Sequence, residues 1–245
     1  NGLLDEKAFS DLVEWQIAEG THGLVPVGTT GEISTLSQDG HKRVVEWCVK
    51  EANGRVPVIA GAGSNSTTEA VALARHAEKA GADAVLVVTP YYNKPTPEGQ
   101  YQHFKAIHDA TNIPIVIYNV PPRSVVDMSV DTMARVAKLE RVIGVKDATA
   151  DLARPLKTRL AIGKEFCQLS GEDATALPFL IQGGHGCISV TSNAAPKLTH
   201  EMHAAWQKRD LDTAIAINER LMPLHEALFC ETSPGPVKFG TSLLG

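Results

Sequence analysis

Short apolar runs rich in valine and isoleucine recur along this chain at 24–27, 56–60, 84–89, 114–120, 142–146, 166–169 and 187–190. Between them apolar residues return with a helical period over 6–19, 39–52, 66–80, 99–110, 130–139 and 174–182, and less sharply over 149–162. Continuous apolar strands that alternate with helices specify a parallel sheet covered on both faces. Local signals agree with that division. Ser66-Thr67-Thr68-Glu69 reads as a capping box, and Thr96-Pro97 puts proline at a first helical position. Gly81 and Gly163 stand where helices end.

Seven runs fall one short of the eight strands of a (β/α)8 barrel. The chain opens on a helix, and after Thr191 only helical patterns follow, at 196–209, 211–229 and 237–244. The expected fold class is therefore α/β: a (β/α)8 TIM barrel lacking its first strand, which would belong before Asn1, with a shortened C-terminal helical extension. No composition break divides the chain. Residues 1–195 read as the barrel and 196–245 as helices packed on it. An unclosed barrel leaves strand edges with unpaired backbone groups. Either a gap persists with its neighbours covered, or the sheet shuts around seven strands. Closure links strand number, tilt and shear, which favours the gap. A seven-stranded open α/β sheet is the alternative, although no glycine-rich dinucleotide fingerprint follows the first run.

Composition narrows the function. A length of 245 residues suits one α/β barrel. Hydrophobic content of 43% and charged content of 21% are those of a globular protein. The net charge of −5, without a basic block, argues against nucleic acid as a partner. No apolar run approaches the ~20 residues of a membrane span. Asn1-Gly2-Leu3-Leu4-Asp5 resembles no signal peptide, and the absence of an initiator methionine points to a fragment. Cys48, Cys167, Cys187 and Cys230 are scattered, which argues against a zinc site or a disulfide framework. A cytoplasmic location fits, or a plastid one if a plant transit peptide has been removed.

The chemistry lies just past the apolar runs, because an α/β barrel builds its site at the C-terminal ends of its strands. Gly28-Thr29-Thr30-Gly31-Glu32 follows the first run and Thr89-Pro90-Tyr91-Tyr92-Asn93 the third. Tyr118-Asn119-Val120-Pro121-Pro122-Arg123 ends the fourth, Lys146-Asp147 the fifth and Ser170-Gly171-Glu172-Asp173 the sixth. Lys146 is the sharpest signal. Burying an ammonium is costly, and desolvation favours the neutral amine, a nucleophile toward carbonyl carbon. Each group also has a plainer reading. The Gly-Thr-Thr-Gly segment could be a tight turn that caps a helix, and as a phosphate cradle it lacks the P-loop lysine. Tyr91-Tyr92 could be packed aromatics, Tyr118 a core tyrosine, Arg123 a surface arginine and Lys146 a snorkelling side chain. Five strand ends that all present groups usable by one mechanism weaken those readings jointly.

These motifs resemble the dihydrodipicolinate synthase family, within the pyruvate-dependent class I aldolase superfamily. Gly28-Thr29-Thr30-Gly31-Glu32, Pro90-Tyr91-Tyr92-Asn93-Lys94-Pro95, Tyr118-Asn119-Val120-Pro121-Pro122-Arg123 and Gly144-Val145-Lys146-Asp147-Ala148-Thr149 carry the resemblance. Leu169-Ser170-Gly171-Glu172-Asp173 and Gly183-Gly184-His185-Gly186-Cys187-Ile188-Ser189-Val190 extend it in order through nearly the whole chain. It implies a carbon–oxygen lyase that condenses pyruvate with aspartate 4-semialdehyde to 4-hydroxy-tetrahydrodipicolinate, in lysine and diaminopimelate biosynthesis. Lys146 would form the Schiff base, with Tyr118, Thr30 and Tyr92 as the proton relay. Thr29 and Thr30 would bind the pyruvate carboxylate, Arg123 the second substrate's carboxylate, and Gly171 and Ile188 would shape the pocket. The Thr-Thr pair and Arg123 favour the synthase over sister aldolases that act on N-acetylneuraminate or 2-keto-3-deoxy sugar acids. A truncated barrel that only binds a keto acid or a partner subunit is the non-catalytic alternative. The resemblance implies no metal and no organic cofactor. It also implies a homotetramer built as a dimer of dimers, with Tyr92 reaching into a neighbouring subunit's site. Ser34, His41, Asn65, Glu69 and Tyr91 match a cleft where lysine inhibits many members, while Ile33 and Gln38 depart from its common pattern.

Overall fold

The computed structural model describes residues 4–244. In chain order the elements are helices α1 (Glu6–Ala18) and α2 (Gln38–Ala52), strand β1 (Ile59–Gly61), α3 (Thr67–Ala80), β2 (Ala84–Val88), α4 (Pro97–Ala110) and β3 (Ile115–Asn119). Then come α5 (Pro121–Ser124), α6 (Val130–Val136), β4 (Val142–Asp147), α7 (Arg154–Ile162), β5 (Cys167–Ser170), α8 (Ala176–Ile181) and β6 (Gly186–Cys187). A 3-10 turn (Thr191–Asn193) precedes α9 (Pro196–Gln207), α10 (Leu211–Ala227) and α11 (Gly235–Ser242). The chain forms two compact units, 1–58 with 189–245, and 59–188.

The second unit is a parallel sheet in the order β1-β2-β3-β4-β5-β6. A strictly sequential order is the winding of a barrel; a doubly wound sheet reverses direction at a switch point. The open doubly wound alternative is therefore excluded. The ends β1 and β6 are not neighbours in this sheet, so it has not shut on itself. Its strands are apolar on both faces: Val85, Val87, Ile115 and Ile117 are fully buried on one, and Leu86 and Val116 are buried on the other. Close approach between strands requires glycine at one point. A Cβ on Gly144 would stand 2.5 Å from the Cys167 carbonyl oxygen.

Helix starts are where the capping residues put them. Ser66, Thr96 and Ser129 accept from the N–H of Glu69, Gly99 and Thr132, satisfying donors the first turn leaves free. At Ser66 the reciprocal half of the box runs through Ser64. Its hydroxyl donates to the Glu69 carboxylate and accepts from the Ser66 N–H. Gly81 and Gly163 close α3 and α7 at φ of 89° and 118°.

In the first unit, Val13, Leu24, Cys48, Ala52 and Val58 form a core against which Phe9, Ile17, Val49 and Val56 pack. Burial pushes the Cys48 thiol up to about 12, which leaves it inert. Gln16 Nε2 donates to the Ser192 carbonyl at 2.8 Å, and Thr191 Oγ1 lies 2.7 Å from His225 Nδ1.

Three expectations change. The run at 24–27 is no strand; it makes one parallel bridge, Leu24 with Val58, through Leu24 N–H to the Pro57 carbonyl at 2.9 Å. Pro26 has no N–H to extend that ladder, and Val27 turns the chain at φ 51°. The last run shortens to Gly186–Cys187, because Ser189 Oγ accepts from Ser192 N–H at 2.8 Å and Val190 is already helical. The helix expected at 149–162 begins only at Arg154, after a turn held by Asp151 Oδ1 accepting from Ala153 N–H.

His103 gives a pH test of this packing. Burial lowers its pKa from 6.5 to about 4; Nδ1 lies 2.9 Å from Thr67 Oγ1, and Nε2 is buried without a partner. The unfolded chain takes up a proton below 6.5 that the native state refuses until about 4. Stability is therefore lost as pH falls through that window. We expect urea midpoints to drop between about pH 7 and about pH 5, and His103→Gln to narrow that drop. An unchanged drop in the variant assigns the acid sensitivity elsewhere.

Candidate active site

β3 and β4 lie in a register that sets Tyr118 directly beside Lys146. Parallel neighbours at one level share a face, so both side chains emerge together near the C-terminal ends of their strands. Each is only 8% exposed, and among the described residues no other lysine is buried. Lys146 Nζ lies 4.4 Å from the centre of the Tyr118 ring. An ammonium over an aromatic face gains about 0.5–2 kcal/mol, more as water is excluded. Tyr118 is held from the other side through its carbonyl, which accepts from Thr89 N–H at 2.9 Å.

Gly171 completes this centre. It follows β5, and its N–H donates to the Asp147 carbonyl at 2.6 Å. A Cβ there would stand 2.7 Å from Ala148 Cβ and 3.1 Å from Lys146 Cε. Only glycine leaves the lysine stem its present path. Ile188 extends the ladder one step past β6, donating its N–H to the Ser170 carbonyl at 2.9 Å.

The next residue of each strand faces the other way. Asn119, Asp147 and Ser170 are register partners and all are buried. Burial raises the Asp147 carboxyl, while hydrogen bonds from Thr149 and the Arg154 charge oppose that rise. Burial likewise raises Glu172, and it pushes the Cys187 thiol well above its usual range. A narrow cleft lined by Asp147, Thr149, Asp151, Ser170 and Glu172 lies on this side, away from Lys146. Its carboxylates suit no anionic ligand.

The remaining expected residues are placed as follows. Arg123 lies in α5, a single helical turn not foreseen from the sequence, and is exposed. Tyr92 is 87% exposed at φ 68°, and Tyr91 is exposed beside it. Neither is a packed aromatic. Asn93 pins their turn: its N–H donates to the Tyr91 carbonyl at 2.8 Å and its side chain to the Asn65 carbonyl at 3.1 Å. Glu69 accepts the Ser64 hydroxyl. In the first unit, Thr29 and Thr30 are half-buried in a run of turns, with the Thr29 carbonyl accepting from Glu32 N–H at 3.0 Å. Glu32 pairs with Lys238 of α11. Ser34 is exposed, and His41 is buried on α2. Among the described residues no group of three or more His, Cys, Asp or Glu could hold a metal ion, and no helix could cross a membrane.

Sequence reading missed Arg154 and Asp127, and it named Asn93 within its motif without a role. Arg154 carried no local signal, since the helix expected from 149 starts at Arg154 only in the structure.

A family model described as the Dihydrodipicolinate synthetase family matches residues 1–245. A 4-hydroxy-tetrahydrodipicolinate synthase of Bradyrhizobium diazoefficiens is 68% identical over 245 residues, which is 100% of this chain and 83% of the relative. The 4-hydroxy-tetrahydrodipicolinate synthase of Methylacidiphilum fumariolicum SolV superposes with a TM-score of 0.98 at 41% identity, covering 100% of this chain and 82% of that one. A chloride-inhibited dihydrodipicolinate synthase from Acinetobacter baumannii, solved with pyruvate, superposes at 0.95 with 47% identity, covering 97% and 82%.

Gly171→Ala tests the clearance beside Lys146. The added methyl crowds Ala148 and shifts the Lys146 stem by a few tenths of an ångström, and we expect turnover to fall by about tenfold. Steady-state kinetics checks it, and full turnover would show that the lysine stem has room to spare.

Proposed function

Because this chain belongs to the dihydrodipicolinate synthetase family, we propose that it condenses pyruvate with aspartate 4-semialdehyde to 4-hydroxy-tetrahydrodipicolinate. The step belongs to lysine and diaminopimelate biosynthesis, and the enzyme is a lyase of the class I aldolase type. The observation that carries this reading is the single buried lysine at a strand end, set beside Tyr118. The 68% identity to a synthase favours this substrate pair over those of the sister aldolases.

Lys146 attacks the ketone of pyruvate, and loss of water gives an iminium. That cation is itself the electron sink, so no metal or organic cofactor is required. A methyl proton leaves, and the enamine adds to the aldehyde of the second substrate. The amine of that substrate then closes the ring at the iminium carbon and releases Lys146. Each stage moves a proton, and a tyrosine hydroxyl can both give and accept one. The register of Tyr118 with Lys146 supports that role. The family resemblance adds Thr30 and Tyr92 to the relay. It gives Thr29 and Thr30 the pyruvate carboxylate, and Arg123 the second carboxylate, which a planar guanidinium fork fits. Gly171 and Ile188 shape the pocket.

The exposure of Tyr92 supports its reaching a neighbouring copy in a tetramer of paired dimers. Lysine would act as an inhibitor at Ser34, His41, Asn65, Glu69 and Tyr91. The Asn93 link between Asn65 and the Tyr91 turn supports two of those positions acting together.

Incubation with pyruvate and borohydride should add a reduced pyruvyl mass to the peptide that holds Lys146, read by mass spectrometry. A label on another lysine, or none on a folded sample, would overturn the mechanism. Tyr118→Phe should lower kcat by about 10²–10⁴-fold, the range for a general acid–base group. The lost hydroxyl should cost only about 1 kcal/mol of stability. Turnover near that of the unaltered enzyme would remove Tyr118 from the relay.

A further inference from the structure

The sheet face away from Lys146 ought to be apolar where helices cover it. It is instead polar at one level: Asn119, Asp147 and Ser170 are exposed by 0%, 6% and 1%. Buried polar groups need partners. Ser170 finds its own, donating to the Glu172 carbonyl and accepting from the Glu172 N–H. Asp147 meets one arginine directly, and Asn119 meets it through Asp127.

Arg154, the first residue of α7, has a side chain only 8% exposed. Its Nη1 donates to Asp127 Oδ2 at 3.0 Å, and Nη2 lies 2.9 Å from Asp127 Oδ1. Nη2 also donates to the Met128 carbonyl. On its other edge, Nε lies 3.2 Å from Asp147 Oδ2, off the line of a hydrogen bond but in close ionic contact. The second Asp147 oxygen accepts the Thr149 N–H at 2.8 Å and its hydroxyl at 2.6 Å. Asn119 closes the circuit. Its amide donates to Asp127 Oδ1 at 2.8 Å, and its carbonyl oxygen accepts from Met128 N–H at 3.0 Å.

Asn119 and Asp147 are the residues immediately after Tyr118 and Lys146, and they are register partners as that pair is. One guanidinium thus joins the two strand ends, directly at Asp147 and through Asp127 at Asn119. We infer that Arg154 is a positioning residue for the reaction, holding the ends of β3 and β4 so that Tyr118 and Lys146 keep their alignment. The inference rests on the reading of Lys146 and Tyr118 as the reacting pair. A stabilising role alone would not need this arrangement, since apolar residues of similar volume often replace a buried ion pair at no loss. A lysine could not substitute, because it lacks the planar fork that meets two carboxylates at once.

The test separates stability from alignment. Arg154→Met leaves two carboxylates without their cation, and its melting temperature should fall. The double variant Asp147→Asn with Arg154→Met removes both charges of the close pair and leaves only the half-exposed Asp127 without its cation, so its melting temperature should recover in large part. Turnover should not recover with it: kcat should remain down by about tenfold or more in both, as misalignment demands. KM for pyruvate should stay within about twofold, because the loss falls on the transition state. Arg154→Lys should restore only part of the turnover. A double variant that regains kcat along with its melting temperature would overturn the inference and leave Arg154 a stabilising residue. Borohydride labelling by pyruvate in the unaltered protein is the control. An unlabelled Lys146 there would bring down the reading of the lysine and this inference with it, whereas a labelled Lys146 with a fully active double variant brings down the inference alone.

Discussion

A lysine can be buried only where its surroundings are built around it, and here the parallel register of β3 against β4 does that building. It sets the Tyr118 ring beside the Lys146 stem. It also fixes what the neighbouring strands must supply: no side chain at Gly171, and a glycine at 144 so that β5 can come close. A slip of one residue would carry Lys146 to the helix-facing side and Asp147 to its place. The chemistry of the site is therefore a property of the sheet's alignment before it is a property of any one side chain.

Alignment of that kind is costly to maintain at strand ends, where ladder hydrogen bonds stop and loops begin. The chain answers with backbone bonds that run past the formal strand limits: Ala148 N–H to the Asn119 carbonyl, Gly171 N–H to the Asp147 carbonyl, and Ile188 N–H to the Ser170 carbonyl. The buried polar row on the opposite face works at the same level. Two faces of one sheet are thus coupled through single peptide units, Lys146 and Tyr118 on one side and the circuit of Arg154 with Asp127 and Asp147 on the other.

Most elements could be read from the sequence because their signals are local. Caps at Ser66 and Thr96 lie beside the helices they start, and the valine- and isoleucine-rich runs are strands wherever a neighbour exists on each side. The failures are non-local or conformational. The run at 24–27 has strand composition, yet Pro26 and the positive φ of Val27 end its pairing after one bridge. Whether Val190 is extended or helical depends on the hydroxyl of Ser189 beside it accepting the Ser192 N–H, which periodicity does not report. At the site, Lys146 and Tyr118 were legible because a polar group at the end of an apolar run is rare. Arg154 was not, because a charged residue at a helix start is common and its burial depends on an aspartate 27 residues earlier in the chain.

The sequential strand order has a consequence for how such a site can diversify. Each strand end, with the loop and helix that follow it, is one link of the chain and makes its own contribution to the face that carries the chemistry. Arg123 rides on the turn after β3, Tyr92 on the loop after β2 and Gly171 on the bend after β5. A loop can therefore lengthen, shorten or exchange its side chains while the neighbouring links keep their pairing. A change of preference can thus be confined to one loop, while Lys146, seated within the ladder itself, keeps its register with Tyr118.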